Sequence, residues 1–230
     1  RHRGRIGSFA TVPLPDVSGA IDEAAYALDT LGFDGIGVYA SYGARFLGDP
    51  HFDRLLAALD ERAAVVFVHP AIHPSTRAIE LPWPAFMVEY PFDTTRAAVN
   101  LLFTGALERF PRIQFILAHA GGTIPFLAWR LSVTPMIDPR LPQLSREAVL
   151  AGLRRFWYDT ALSPDAPTLG ALHAVADPAR ILFGSDWPYA NERVVAAETA
   201  TLDRPGLLTP AQSAAIGAGN ARALFPRFAK

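Results

Sequence analysis

The 230-residue chain contains no cysteine. That excludes disulfides, thiolate nucleophiles and thiolate metal sites, so any bound metal must sit on His, Asp or Glu. Excess charge is also missing: 21 basic and 22 acidic side chains give a formal net charge of −1. Such a balance leaves no electrostatic footprint for nucleic acid or an anionic membrane. No apolar run approaches the ~18 residues of a membrane span. The opening Arg1-His2-Arg3-Gly4-Arg5 is not followed by an apolar signal core. A Gly-rich phosphate loop and a G-x-S-x-G elbow are absent as well. The expectation is a cytoplasmic protein with neither nucleic-acid nor membrane partners. What the chain does have is apolar bulk: half of its residues are hydrophobic and 19% are charged. One large domain over residues 1–230 can bury a sizeable core from that composition.

Strand-like and helix-like segments alternate from end to end. GSFATV (7–12) reads as a strand, and SGAIDEAAYALDTLG (18–32) as a helix with Ser18 as its N-cap. FDGIGVY (33–39) is a strand, FDRLLAALDERA (52–63) a helix, and AVVFVH (64–69) an apolar strand closed by a histidine. A Pro- and aromatic-rich loop (70–92) precedes a helix over 93–111 with Asp93 as its cap. IQFILAH (113–119), FWYDT (156–160) and ILFGSD (181–186) complete the strands. Helical patterns close the chain, one opening with Thr209-Pro210-Ala211-Gln212 as a capping box with Pro at its first position. Near-continuous apolar strands between helices mean a parallel sheet covered on both faces. Six strand–helix units fit either a doubly wound sheet or a (β/α)8 barrel.

Three of these strands end in a possible metal ligand: His69, His119 and Asp186. In parallel α/β folds the carboxyl ends of the strands gather on one face, so residues far apart in sequence meet there. Two neutral imidazoles and a carboxylate suit zinc or another borderline divalent ion. Each residue alone has an ordinary alternative. A histidine at a strand end is commonly a hydrogen-bonded structural group, and Asp186, two residues before Pro188, fits a helix N-cap. Asp159 also ends a strand, where it fits a carboxylate bonding backbone amides. His73 in the long loop is a weaker ligand candidate, and His2, His51 and His173 read as surface or helix residues. Gly121-Gly122 beside His119 allow close backbone approach, to an anion or within a tight turn.

VHP (68–70), HAGG (119–122) and GSDWP (184–188), in this order, resemble the amidohydrolase-2 branch of the metal-dependent amidohydrolases. The resemblance is strongest to non-oxidative decarboxylases of the aminocarboxymuconate-semialdehyde and 6-methylsalicylate type. FATVPLPD (9–16), DGIGVYASYG (34–43), FLGDP (46–50) and PFDTTRA (91–97) extend it over essentially the whole chain. The resemblance implies an α/β fold, a TIM-like (β/α)8 barrel, of which this sequence carries strands three to eight. It implies His69 as the metal ligand on the fifth barrel strand and Asp186 as the ligand on the eighth. His119, on the sixth, becomes the histidine that activates water or handles the proton. Arg130 matches an arginine set against the substrate carboxylate across a homodimer, and Trp83 an aromatic of the substrate wall. The implied cofactor is a divalent metal ion, zinc first and manganese second. The implied substrate is a small aromatic or unsaturated carboxylic acid, with lactone or amide hydrolysis as the alternative reaction.

In one respect the sequence departs from that family. An H-x-H pair on the first barrel strand has no counterpart here: His2 is followed by Arg3-Gly4. The expectation is therefore a domain truncated at its N-terminal side, without the first two βα units and two metal-binding imidazoles. Full structural zinc sites are worth about 10–16 kcal/mol, and losing two imidazoles removes several of these. The chain alone is accordingly expected to bind zinc weakly and to lack decarboxylase activity, both restored by a segment carrying H-x-H.

Overall fold

The computed structural model describes residues 4–229, so His2 lies outside the described residues. Six strands form one parallel sheet in sequential order: β1 (Phe9–Thr11), β2 (Gly35–Tyr39), β5 (Val65–His69), β6 (Gln114–Leu117), β7 (Trp157–Asp159) and β8 (Ile181–Leu182). Register runs without slips, with Val68 beside Val38 and Leu117, and Leu117 beside Tyr158. A short antiparallel pair, β3 (Ser41–Tyr42) and β4 (Arg45–Phe46), follows β2. The helices are α1 (Val17–Ala25), α2 (Asp53–Glu61), α3 (Phe86–Phe103), α4 (Ala106–Arg109), α5 (Ile124–Val133), α6 (Arg146–Arg154) and α7 (Ala166–Val175). The last three are α8 (Glu192–Leu202), α9 (Pro210–Ala214) and α10 (Asn220–Leu224). Sequential parallel order with a helix in each crossover is barrel topology rather than doubly wound topology. Among the described residues, β1 and β8 each pair along one edge only.

Alternate residues of each strand go to opposite faces, as the two-residue strand period requires. Ile36, Val66, Val68, Phe115, Leu117, Tyr158 and Ile181 pack against the helices in the main core. Val65, Ile116, Trp157 and Leu182 turn to the other face and meet Phe67, Ala221, Leu224 and Phe225. The C-terminal segment thus seals the amino ends of the strands. Asn220 donates to the carbonyls of Pro178 (2.9 Å) and Ile181 (2.8 Å). Phe225 meets Phe9 edge to face at 5.9 Å, and Arg227 grips the Asp34 carboxylate. Fully buried Phe156 and Tyr158 are each worth about 1.5–3 kcal/mol of hydrophobic burial, and the Tyr158 hydroxyl donates to Leu153 O at 2.7 Å.

Several local expectations need correction. Asp16, not Ser18, caps α1, its carboxylate accepting from Gly19 N at 3.0 Å. Helix α3 starts at Phe86 and runs through Pro91, so Asp93 is not a cap but a mid-helix residue with no exposed surface. Its carboxylate accepts from Ser41 Oγ (3.1 Å) and Ala71 N (2.8 Å), fastening the segments that follow β2 and β5. Those tertiary bonds override the helix-breaking tendency of Pro91. Strand β8 stops at Leu182, which leaves Asp186 in the loop beyond it. The Thr209–Gln212 capping box is present.

His173, on α7, has both ring nitrogens buried without a partner, and desolvation lowers its pKa below the ordinary value. The unfolded imidazole takes up its proton near about pH 6.5, before the folded one does. Stability is therefore full above that pH and is lost as pH falls towards the folded pKa. His119, lowered in the same direction, adds to the fall. Replacing His173 with leucine should reduce the drop in Tm between about pH 7 and about pH 5; thermal unfolding of both proteins across that range checks it.

Candidate active site

The three ligand candidates converge at the carboxyl ends of the strands. One donor atom from each of His69, His119 and Asp186 lies within 4.8 Å of the others. Asp186 Oδ1 is 3.7 Å from His119 Nε2 and 3.9 Å from His69 Nε2, and the two rings are 5.6 Å apart at 67°. Each side chain is aimed by its local backbone. His69 ends β5 on the face shared with Val65 and Phe67, and its Nδ1 lies 2.8 Å from Pro70 O. A carbonyl only accepts, so Nδ1 carries a proton, and in the neutral ring that leaves Nε2 as the ligating nitrogen. This outer-sphere bond is the kind that fixes the tautomer of a metal-binding histidine.

His119 follows β6 in a turn of left-handed backbone: φ is 56° at His119, 54° at Ala120, 74° at Gly121 and 66° at Gly122. Two non-glycine residues in that region cost roughly 1–2 kcal/mol each. The glycines are required by space as well as by φ. A Cβ on Gly121 would come within 2.6 Å of the Tyr158 ring, and one on Gly122 would collide with the Pro91 carbonyl. Thr95 on α3 holds the same turn by accepting from Thr123 N at 2.8 Å. Burial, opposed by Asp186, lowers the His119 pKa and favours its neutral ring. Asp186 is itself left-handed, at φ 53°.

Behind this trio lies Asp159, at the end of β7. Its carboxylate accepts from His119 N (2.8 Å) and Ala161 N (3.1 Å), and burial pushes its pKa up to about 7. Glu198, buried on α8, accepts from Leu162 N. Sequence reasoning gave no signal for Glu198, because one acid in an amphipathic helix looks like its solvated neighbours. Tyr90 stands on α3 rather than in a loop, edge-on to His69 at 5.7 Å. Arg130 lies on the exposed face of α5 and Trp83 is exposed in the segment before α3. Among the described residues, no hydrogen bond or ion pair joins either to His69, His119 or Asp186. His73 is not part of the trio; its ring stacks on Phe46 at 5.1 Å.

The donor set fits a divalent ion. Two imidazoles with Nε2 aimed at one carboxylate are borderline ligands of the right type, and the tautomer of His69 is already set. His69 and Asp186 would hold the ion with His119 beside them.

This geometry has counterparts among known proteins. The amidohydrolase family model (Amidohydro_2) matches residues 1–227, and the chain belongs to that family. It is 38% identical over 224 residues to the 6-methylsalicylic acid decarboxylase of Penicillium expansum, covering 96% of this chain and 69% of the relative. Its structure superposes on that of an amidohydrolase II with a TM-score of 0.85 at 28% identity, covering 95% of this chain and 70% of the other. A dihydroxybenzoic acid decarboxylase from Polaromonas, solved with bound manganese and 2-nitroresorcinol, shares the fold. That superposition has a TM-score of 0.83 at 23% identity, covering 96% and 69% of the two chains. The α/β barrel class is thereby established, with six of its strands in the described residues.

Metal titration tests the trio. Calorimetry with zinc or manganese should show one ion per chain, and His69→Ala and Asp186→Ala should each weaken binding by at least about tenfold. Undiminished affinity in either variant would remove that residue from the ligand set.

Proposed function

We propose that the chain is a metal-dependent, non-oxidative decarboxylase of a small aromatic carboxylic acid. The observation that carries this reading is buried His119, its pKa lowered by burial, facing Asp186 across 3.7 Å with aromatic side chains near by. Tyr90 offers a flat apolar surface beside His69, and exposed Trp187 and Tyr189 follow Asp186 in the chain. A hydroxybenzoate such as 6-methylsalicylate or a dihydroxybenzoate suits such walls. The relatives' names point to the same class of acid.

The reaction exchanges the carboxylate of the ring for a proton. The ring carbon bearing the carboxylate accepts a proton, the carbon–carbon bond breaks, its electron pair restores the aromatic ring, and carbon dioxide leaves. Asp186 and His119 hold that proton between them and deliver it to the ring carbon. A divalent ion on His69 and Asp186 would supply Lewis-acid polarisation of the substrate oxygens. The protein must favour the dearomatised ring over the ground state, because only differential binding accelerates the step. Turning the substrate face-on to His119 and excluding water are the tasks of the aromatics. We assign Arg130 to the substrate carboxylate of a second subunit and Trp83 to the substrate wall. Zinc is the favoured ion and manganese the alternative, and the cytoplasm is the proposed compartment. Among the described residues no helix is long and apolar enough to cross a membrane.

The assay is carbon dioxide release from 6-methylsalicylate and 2,6-dihydroxybenzoate, set against lactone hydrolysis, with zinc or manganese added. It is run on this chain and on the same chain extended by a segment carrying H-x-H. We expect decarboxylation from the extended form and none from the chain alone, and a loss of about a hundredfold or more in His119→Asn of the extended form. Lactone hydrolysis without carbon dioxide release from either form would overturn the assignment.

A homodimer belongs to the same proposal. On α5 and just beyond it, Phe126 (86% exposed), Trp129 (67%), Met136 (76%) and Ile137 (75%) flank Arg130. Residues 126, 129 and 130 share one helix face, so burying that stripe between two copies would carry Arg130 along. Light scattering should give a dimer for the parent chain and a monomer for Trp129→Glu. A monomeric parent would refute it.

A further inference from the structure

The left-handed turn that carries His119 is held from behind by a residue outside the ligand trio. We propose that Asp159 is a positioning residue, whose carboxylate sets the backbone of His119 and thereby aims the His119 imidazole at Asp186. The inference rests on the proton-transfer role given to His119 above.

Three observations carry it. First, Asp159 Oδ1 receives His119 N at 2.8 Å and Ala161 N at 3.1 Å, so one oxygen ties the turn after β6 to the end of β7. Second, the grip falls on the first residue of a run with φ of 56°, 54°, 74° and 66°, a backbone that side-chain-bearing residues leave unless something holds them. Third, Asp159 also packs against the loop leading to Asp186: a Cβ on Gly184 would stand 2.9 Å from both its Cβ and its Cγ. The carboxylate is therefore the common support of the His119 turn and the Asp186 loop, the two partners separated by 3.7 Å. Among the described residues it has no arginine or lysine partner. Once ionised, the carboxylate binds these amides about twice as strongly as a neutral acceptor would. No contact with substrate is assigned to Asp159; it acts through His119.

The test uses the full chain with isotope-labelled histidine, at mildly alkaline pH. The His119 imidazole signal is assigned by its loss in His119→Gln. In Asp159→Leu, which fills the space but accepts nothing, the His119 signal should move beyond its linewidth. In the same variant of the form extended with H-x-H, kcat for decarboxylation should fall by about tenfold or more, with KM within about threefold of the unsubstituted extended form. In Asp159→Asn, which keeps the shape and one neutral acceptor, the signal should move less and kcat should recover part of the loss. A lower Tm with the His119 signal unmoved and kcat unchanged would mean that Asp159 is structural only, and would overturn the proposal. Should the leucine variant not fold, the asparagine variant decides: a His119 signal identical to the parent's overturns the proposal, and a shifted one supports it. Absence of carbon dioxide release by the form extended with H-x-H would sink the decarboxylase reading alone, because the imidazole signal reports positioning without turnover.

Discussion

A parallel sheet buried on both faces leaves its polar chemistry one place to go. In this chain β5, β6, β7 and β8 send apolar residues both to the helix layer and to the inner cluster. Unpaired polar groups inside either layer would cost roughly 1–3 kcal/mol each. The carboxyl ends of β5, β6, β7 and β8 are where the alternation stops and backbone direction changes, and His69, His119, Asp159 and Asp186 occupy those ends or the turns just beyond. The convergence of residues fifty and sixty-seven positions apart is thus a consequence of sheet order rather than of any local motif.

Convergence alone does not give a working geometry. Two of the three trio members, His119 and Asp186, have left-handed backbone at φ of 56° and 53°. Such conformations persist only where the surroundings over-determine them. Here the surroundings are specific: Asp159 grips the His119 amide, Thr95 grips the Thr123 amide, and Tyr158 and Pro91 leave room for no side chain on Gly121 and Gly122. Helix α3 contributes twice. Thr95 reaches the turn after β6, and Asp93, two residues earlier, reaches the segments after β2 and β5. A single helix on the outer layer therefore holds three of the loops that surround the site, and this requires its start to lie well before Asp93.

That requirement marks the limit of what was legible in the sequence. The six strands, their parallel order and the meeting of His69, His119 and Asp186 follow from apolar runs closed by ligand-type residues. The start of α3 does not. Pro91 and the surrounding aromatics look like a loop, and Asp93 before two threonines looks like a cap. Only its contacts with Ser41 and Ala71, fifty-two and twenty-two residues away, turn it into a buried mid-helix anchor. Asp159 was ambiguous for a related reason: a carboxylate at a strand end is consistent with both a site and a scaffold until the amide it binds is known to be that of His119. Glu198 carried no local signal. In each case the deciding interaction is long-range, and local pattern reasoning has no access to it.

The two ends of the strands differ in kind, and the difference has a functional consequence. At the amino ends, Leu224 and Phe225 close over Val65, Phe67 and Trp157, with Asn220 and Arg227 anchoring the segment through Ile181 O and Asp34. Among the described residues, the arginines lining that end, Arg62 and Arg227, are already paired with Asp29 and Asp34. At the carboxyl ends the polar trio sits below exposed aromatic side chains, Trp187 and Tyr189 among them. An aromatic acid approaching from that side meets apolar surface for its ring and polar groups for its oxygens in the right order. On the other side lies a cavity of about 470 Å³ lined by Val65, Leu224 and Phe225 and by the ion-paired Arg62 and Arg227, away from the trio.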